Sequence, residues 1–400
     1  MKKYYYNYVG IYTFTYGAMG MMLPLLGQYL NQIGFTGAEI GSVMSTGTGV
    51  AIFASIFWGN RYSRSREGKK VILFLCFAAA GVTLLLSSIT TYLYFLLTFG
   101  LLYFFQSPIL ALQDSMTLED GQDFGHIRKW GAIGFGLGNF IASRVILLAG
   151  LKSIFFLFLS GYLVAAVLIL WIRHKRGQEA QKDKTKFPNT ASRIIPEEKR
   201  RYRDLLQNRR FILLIISAFF VSGTNVANNT YFSFLYIEGG GTIAGIGIAF
   251  LLMVGSEAVF MAWSGRLAAI FTLEKTILYS MLVSVLRYSF YSLNPPYVLL
   301  IATFFLQGMV NGIVLVEFIR YIAKLLKPEM LGLGLSVYYC VSCNISTIVC
   351  LLIGGMLLDQ YGAPAVYLFF SIYNLLGVIL YLAWGLHREE KDFKKDGFMG

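Results

Sequence analysis

Glu257 and Arg287 stand inside long apolar runs of this 400-residue chain. A charge at mid-bilayer costs about 2.5–3.5 kcal/mol on insertion scales, so it faces a partner or a wet cavity. Burial disfavours a charged carboxylate and a nearby arginine favours it, so a ligand that displaced Arg287 would change the proton held by Glu257. That is proton-coupling chemistry, and the alternative is a static structural pair. Arg144 is the third charge of this kind, placed either to receive an anionic group or to snorkel outward. Glu317 and Arg320 are spaced as a surface i,i+3 pair. Asp114 and Arg128 bracket a short loop, as an inner gate or a structural pair.

Neutral polar residues add hydrogen-bonding capacity. Asn225, Asn228 and Asn229 fall on one face of a helix, next to Thr230. Unpaired amides facing lipid are costly, so they bind a hydroxyl-rich or heterocyclic ligand, or they join neighbouring helices. Tyr8, Tyr12 and Tyr16 repeat at four-residue spacing. Such a stripe stacks on a sugar or base, although Tyr8 also suits the interfacial belt. Asn139, Gln307, Asn311 and Asn344 are isolated polar positions within apolar runs. Gly131, Gly134, Gly136 and Gly138 read as close helix packing, because no strand precedes them to form a phosphate cradle. Cys340 and Cys343 read as ordinary packing on a greasy helix. No Walker motif, zinc-site spacing or nucleophile–base set is present, so neither an enzyme nor a cofactor or metal is expected.

The elements that position these residues follow from composition. Hydrophobic residues make up 56% and charged residues 14%, against roughly 45–50% and 25% in soluble domains. The mean hydropathy is +0.61. The formal charge of +13 would suit a nucleic-acid binder only if basic residues gathered on a soluble face, and here they punctuate apolar runs. About 20 apolar residues cross a bilayer core. On that ruler the chain offers twelve spans, at 8–30, 38–59, 70–89, 92–113, 129–149, 154–172, 211–236, 243–263, 275–293, 297–319, 332–357 and 364–386. Lys2 and Lys3 precede a long Tyr-rich first run without a small-residue cleavage site, so a retained span is expected there rather than a cleaved leader.

The expected class is therefore an all-α integral membrane protein, with twelve transmembrane helices in two pseudo-symmetric six-helix bundles. The bundles span 1–172 and 211–387, separated by a cytoplasmic loop at 173–210 and followed by a tail at 388–400. That loop opens with Arg173-His174-Lys175-Arg176 and ends near Lys199-Arg200-Arg201. With both termini inside, 31 of the 34 Lys and Arg residues are cytoplasmic and Lys152 alone lies outside, as the positive-inside rule requires. A multi-pass protein of the cell membrane, monomeric in the bilayer, is expected.

The halves echo one another. Trp58-Gly59 precedes Lys69-Lys70-Val71-Ile72-Leu73 by ten residues, and Trp263-Ser264-Gly265 precedes Lys275-Thr276-Ile277-Leu278 by the same interval. Duplicated units are common in transporters. The turn Gly59-Asn60-Arg61-Tyr62-Ser63-Arg64-Ser65-Arg66-Glu67-Gly68-Lys69-Lys70 resembles the signature loop of the major facilitator superfamily, with Ser63 where an Asp is usual. Three further stretches are most similar to its branch of phenylpropionate and nucleoside proton symporters, with lactose permease as a neighbour. They are Phe124 to Phe135, Gly255-Ser256-Glu257 and Leu286-Arg287-Tyr288. The resemblance implies a proton-coupled importer. It matches Glu257 and Arg287 to intramembrane acidic and basic positions, and Arg128 to an arginine early in the fifth span. Gln307 and Val310 stand where lactose permease has its proton-handling His and Glu.

The functional expectation is a secondary transporter taking up a sugar, nucleoside or similar polar solute with protons. Uptake of an aromatic or other carboxylate, with Arg144 or Arg287 as anion partner, is one alternative, and efflux of a metabolite or drug is another. The expected partners are the solute, protons and the bilayer.

Overall fold

A backbone in hydrocarbon has no water to bond, so each span must satisfy its own N–H and C=O groups, and helices do this. The computed structural model describes residues 4–65, 67–180, 205 and 207–388. Most of the linker expected at 173–210, including Lys199-Arg200-Arg201, lies outside the described residues, as do Arg66 and the tail from 389.

The first six helices are α1 (Tyr5–Gln32), α2 (Gly37–Arg64), α3 (Gly68–Leu86), α4 (Tyr92–Glu119), α5 (Phe124–Ala149) and α6 (Ser153–Ala180). The second six are α7 (Arg209–Glu238), α8 (Ile243–Phe271), α9 (Leu273–Tyr291), α10 (Tyr297–Leu325), α11 (Met330–Tyr361) and α12 (Ala363–Ala383). All but α9 are long and apolar enough to cross a bilayer on composition alone. Helix α9 carries Glu274, Lys275 and Arg287 in 19 residues. Several helices outrun the apolar segments, α2 to Arg64 and α4 to Glu119. Their polar ends lie where side chains again meet water or headgroups.

Local chemistry sets the helix ends. The Asp123 carboxylate accepts the N–H of His126 at 3.2 Å at the start of α5, and Asn208 Oδ1 accepts that of Phe211 at 3.1 Å at the start of α7. Both are side-chain caps on otherwise unpaired donors. Helix α11 stops at Gly362, whose φ of 78° favours glycine. Within α11, Tyr338–Ile345 is π-helical, and there Ser342 Oγ donates to the carbonyl of Ile215 on α7 at 2.8 Å.

Packing repeats between the halves. Helix α1 packs on α5 and α6, and α7 packs on α11 and α12; α3 packs on α4 and α6, and α9 on α10 and α12. Contacts gather the chain into two compact units, Met1–Phe35 with Thr46–Ile195, and Thr36–Ser45 with Pro196–Gly400. The opening turns of α2 thus group with the second unit, whose Asp359 accepts the N–H groups of Gly37 and Ala38. In the first unit α1 and α5 touch backbone to backbone. A Cβ on Gly134 would lie 2.3 Å from the Thr13 carbonyl oxygen, so the glycines of α5 serve packing. In the second unit Gly308 on α10 does the same, its Cβ position falling 1.9 Å from the Met253 carbonyl oxygen on α8. Outward faces are apolar, with Leu148 at 92% and Phe53 at 72% exposure. A patch of that extent needs lipid to cover it.

Candidate functional site

Each unit holds a polar cluster that gathers predicted site residues. In the first, Tyr12 is fully buried, and its hydroxyl donates to Asp114 Oδ1 at 2.6 Å and lies 3.2 Å from Thr117 Oγ1. The Tyr12 and Tyr16 rings stack at 6.2 Å, 10° from parallel. One turn of α1 separates them, which brings the rings parallel on one helix face. Arg128, from the first turn of α5, places its guanidinium 4.5 Å from the Tyr16 ring centre, and its Nε is 3.7 Å from Asp114 Oδ2. Asp114 keeps 28% and Arg128 40% of its side chain exposed. The pair is accessible. Thr15 donates to Gln113 Oε1 at 3.0 Å beside it, and the Gln113 amide nitrogen has no partner.

In the second unit, Arg287 is 2% exposed. Its guanidinium lies 4.3 Å from the Tyr288 ring centre and 5.5 Å from that of Tyr291, and among the described residues none of its three nitrogens finds a hydrogen-bond acceptor. The Tyr288 hydroxyl donates to the Thr224 carbonyl at 3.1 Å and to Asn225 Oδ1 at 3.3 Å. Tyr367 packs against Tyr288 and Tyr291 and donates to Asn228 Oδ1 at 2.9 Å. The Gln307 amide donates to the Asn225 carbonyl at 3.2 Å and to Asn311 Oδ1 at 3.0 Å. Among the described residues, buried Asn228 Nδ2, Asn229 Oδ1, Ser284 Oγ and Gln307 Oε1 find no hydrogen-bond partner.

The remaining predicted residues fall outside these clusters. Glu257 is half-buried, with its backbone against Gly308 and Gly312 of α10, and no hydrogen bond joins it to Arg287. Asn139 is fully buried and donates to the Gly20 carbonyl at 3.1 Å, a bond between α5 and α1. Arg144 is exposed over the Phe140 ring at 5.3 Å, on the same face as exposed Leu137, Ile141 and Leu148. It lies roughly 160° around the helix from Arg128. Glu317 and Arg320 pair at 2.8 Å, but the carboxylate is wholly buried and only the arginine reaches the surface. Tyr8 is also buried and donates to Asp120.

Sequence reasoning did not name Tyr288, Tyr291, Tyr367 or Asn374 as site residues. Asn374 Nδ2 donates to Thr224 Oγ1 at 2.7 Å. The available signal was the spacing of Tyr367 and Asn374, seven residues apart on one face of α12.

Comparison with known proteins agrees with this architecture. The profile described as MFS_1 like family matches residues 5–369. Maltose permease of Geobacillus stearothermophilus is 31% identical over 376 residues, which covers 93% of this chain and 92% of that protein. The uncharacterized transporter YwbF of Bacillus subtilis (strain 168) is 29% identical over 392 residues, covering 96% and 94%. Among solved structures, the nucleoside transporter NupG superposes with a TM-score of 0.79 at 18% identity, covering 96% of this chain and 99% of that one. A bacterial homolog of the human lysosomal transporter Spinster gives 0.71 at 11% identity, covering 98% and 97%. At such identities the structural likeness speaks to fold. The family profile spans nearly the whole chain and the permease relative shares almost its full length, and with this two-bundle membrane fold the chain belongs to the MFS_1 like family of major facilitator transporters.

Proposed function

We propose that the protein carries a sugar-class solute across the cell membrane by alternating access, and that the first unit's cluster recognises it. One observation carries the reading: an accessible carboxylate and guanidinium, 3.7 Å apart, beside two stacked tyrosine rings. A carboxylate only accepts hydrogen bonds and a guanidinium only donates. Two neighbouring hydroxyls on a sugar satisfy both at once, and the rings cover its apolar C–H face. The maltose permease of Geobacillus stearothermophilus, a relative over nearly the whole chain, supports a saccharide by its name.

Coupling to protons belongs, on this reading, to the second unit. Arg287 is closed off from solvent and lacks a hydrogen-bond partner, so it gains stabilisation from any rearrangement that brings an acid or anion to it. Glu257 is the acid assigned to the proton, and both termini are assigned to the cytoplasm. A solute carrying a carboxylate is the second reading, favoured by the same unpaired guanidinium.

The test is uptake into proteoliposomes with an imposed pH gradient, offering a neutral disaccharide, a nucleoside, a uronic acid and an aromatic acid. Gradient-driven uptake of the disaccharide, lost in Asp114→Asn and Arg128→Gln, is expected. Uptake of the acids alone would replace the sugar reading by the carboxylate one. Gradient-driven uptake that survived Glu257→Gln would remove that residue from coupling.

A further inference from the structure

The loop between α2 and α3 takes no part in either polar cluster, yet it borders a cavity of about 580 Å³. Phe57, Asn60, Arg61, Arg64, Ser65 and Val71 line it. Arg61 and Arg64 are three residues apart on α2, so their side chains share one face, and both are exposed. Such a pair can hold one anion between its guanidinium groups. Ser63 stands where the signature loop usually has an acid, and its hydroxyl is turned back to the Gly59 carbonyl at 3.0 Å.

The nearby acids are already engaged. Glu67 pairs with Lys70 at 2.9 Å and with Arg173 at 3.0 Å. Asp120 holds Lys69 at 2.9 Å and the Tyr8 hydroxyl, and Glu119 accepts from Tyr62 at 2.9 Å. Among the described residues, no ion pair neutralises Arg61 or Arg64. The cavity therefore presents two guanidinium groups, an amide and a hydroxyl, all able to donate to one anion.

An apolar surface leads to it. Phe53, Ile56 and Phe57 are exposed by 72%, 63% and 54%, and they precede Asn60, Arg61 and Arg64 on the same face of α2. Phe74, on α3, is exposed by 54%. Hydrocarbon-facing rings that give way to arginines match a lipid, acyl chain first and headgroup last. A soluble anion would engage the arginines alone, whereas a lipid engages the arginines and the rings together.

We propose that this cavity binds the phosphate of an anionic phospholipid, with its chains along Phe53, Ile56, Phe57 and Phe74. Guanidinium groups bind phosphate in bidentate fashion, and two of them favour a lipid with net negative charge over a zwitterionic one.

Native mass spectrometry of the purified protein, in micelles doped equally with phosphatidylglycerol and phosphatidylcholine, tests this. The wild type should retain phosphatidylglycerol preferentially. Each of Arg61→Gln and Arg64→Gln should lower its retention roughly fivefold, and the double variant about 25-fold. Ser63→Asp, which restores an acid and keeps both arginines, should lower it by about fivefold. Lys152→Gln, a basic residue outside this loop, should leave it unchanged. Equal retention of the two lipids by the wild type would overturn the proposal without recourse to any variant. Phosphatidylglycerol retention untouched by both Ser63→Asp and the double substitution would overturn it as well. So would inorganic phosphate occupying the arginines of a protein that shows no lipid preference.

Discussion

Arg128 in the first unit and Arg287 in the second both lie over tyrosine rings, at 4.5 and 4.3 Å, but among the described residues only Arg128 of the two has a carboxylate within ion-pair distance. Arg128 and Asp114 also keep contact with solvent, at 40% and 28% exposure, whereas Arg287 retains 2%. A half-solvated pair costs little at rest, and its loose 3.7 Å spacing leaves donor and acceptor free for a ligand. A desolvated charge without a hydrogen bond is expensive and is stabilised by any partner that reaches it. The difference teaches how the proposed reading divides the work between the two units. On it, the accessible cluster reads a solute and the closed one registers a change of partner.

Five substitutions break or sharpen this contrast. Arg287→Met removes the desolvated charge and should raise stability in detergent, seen as a higher thermal midpoint. A lower midpoint would mean that Arg287 is already stabilised and that the contrast is false. Gly134→Ala and Gly308→Ala drive a methyl into backbone carbonyls, at 2.3 Å and 1.9 Å respectively. Each should cost about 1–3 kcal/mol, the first in the α1–α5 contact and the second in the α8–α10 contact. Comparable losses would show that the two units rely equally on close helix approach. Tyr367→Phe leaves Asn228 Oδ1 without its 2.9 Å donor and should cost about 1–2 kcal/mol of stability. Asp114→Asn should cost the least, about 0.2–1 kcal/mol, because its pair is part-solvated. A larger loss would make the first cluster structural.

The bundle was legible in the sequence because hydrocarbon permits so few backbone solutions. Twelve apolar runs and a one-sided distribution of Lys and Arg leave little choice. The glycines of α5 were legible as packing for a similar reason: only a missing Cβ admits the Thr13 carbonyl. The site was legible only in parts. Asn225 and Asn228 fall on one face by spacing alone, but their partners Tyr288 and Tyr367 come from α9 and α12. A tyrosine in a greasy run gives no sign of its bonding role.

Charge positions were readable and rotations were not. Glu257 and Arg287 lie on adjacent spans, yet α8 turns the backbone of Glu257 against Gly308 and Gly312. Arg144 stood between an anion receptor and a snorkelling residue, and only its exposed neighbours Leu137, Ile141 and Leu148 show that it lies on an outward apolar face. Helix rotation is set by packing against neighbours, and a single sequence does not contain it.

The most direct measurement is equilibrium binding of a neutral disaccharide to the purified protein by isothermal titration calorimetry, comparing wild type, Asp114→Asn and Arg287→Met. Losing a charge-assisted hydrogen bond is worth roughly 10- to 150-fold in affinity. A loss of that size is predicted for Asp114→Asn, with Arg287→Met binding as the wild type does. Full binding by Asp114→Asn, with binding lost in Arg287→Met, would place recognition in the second unit and contradict the account.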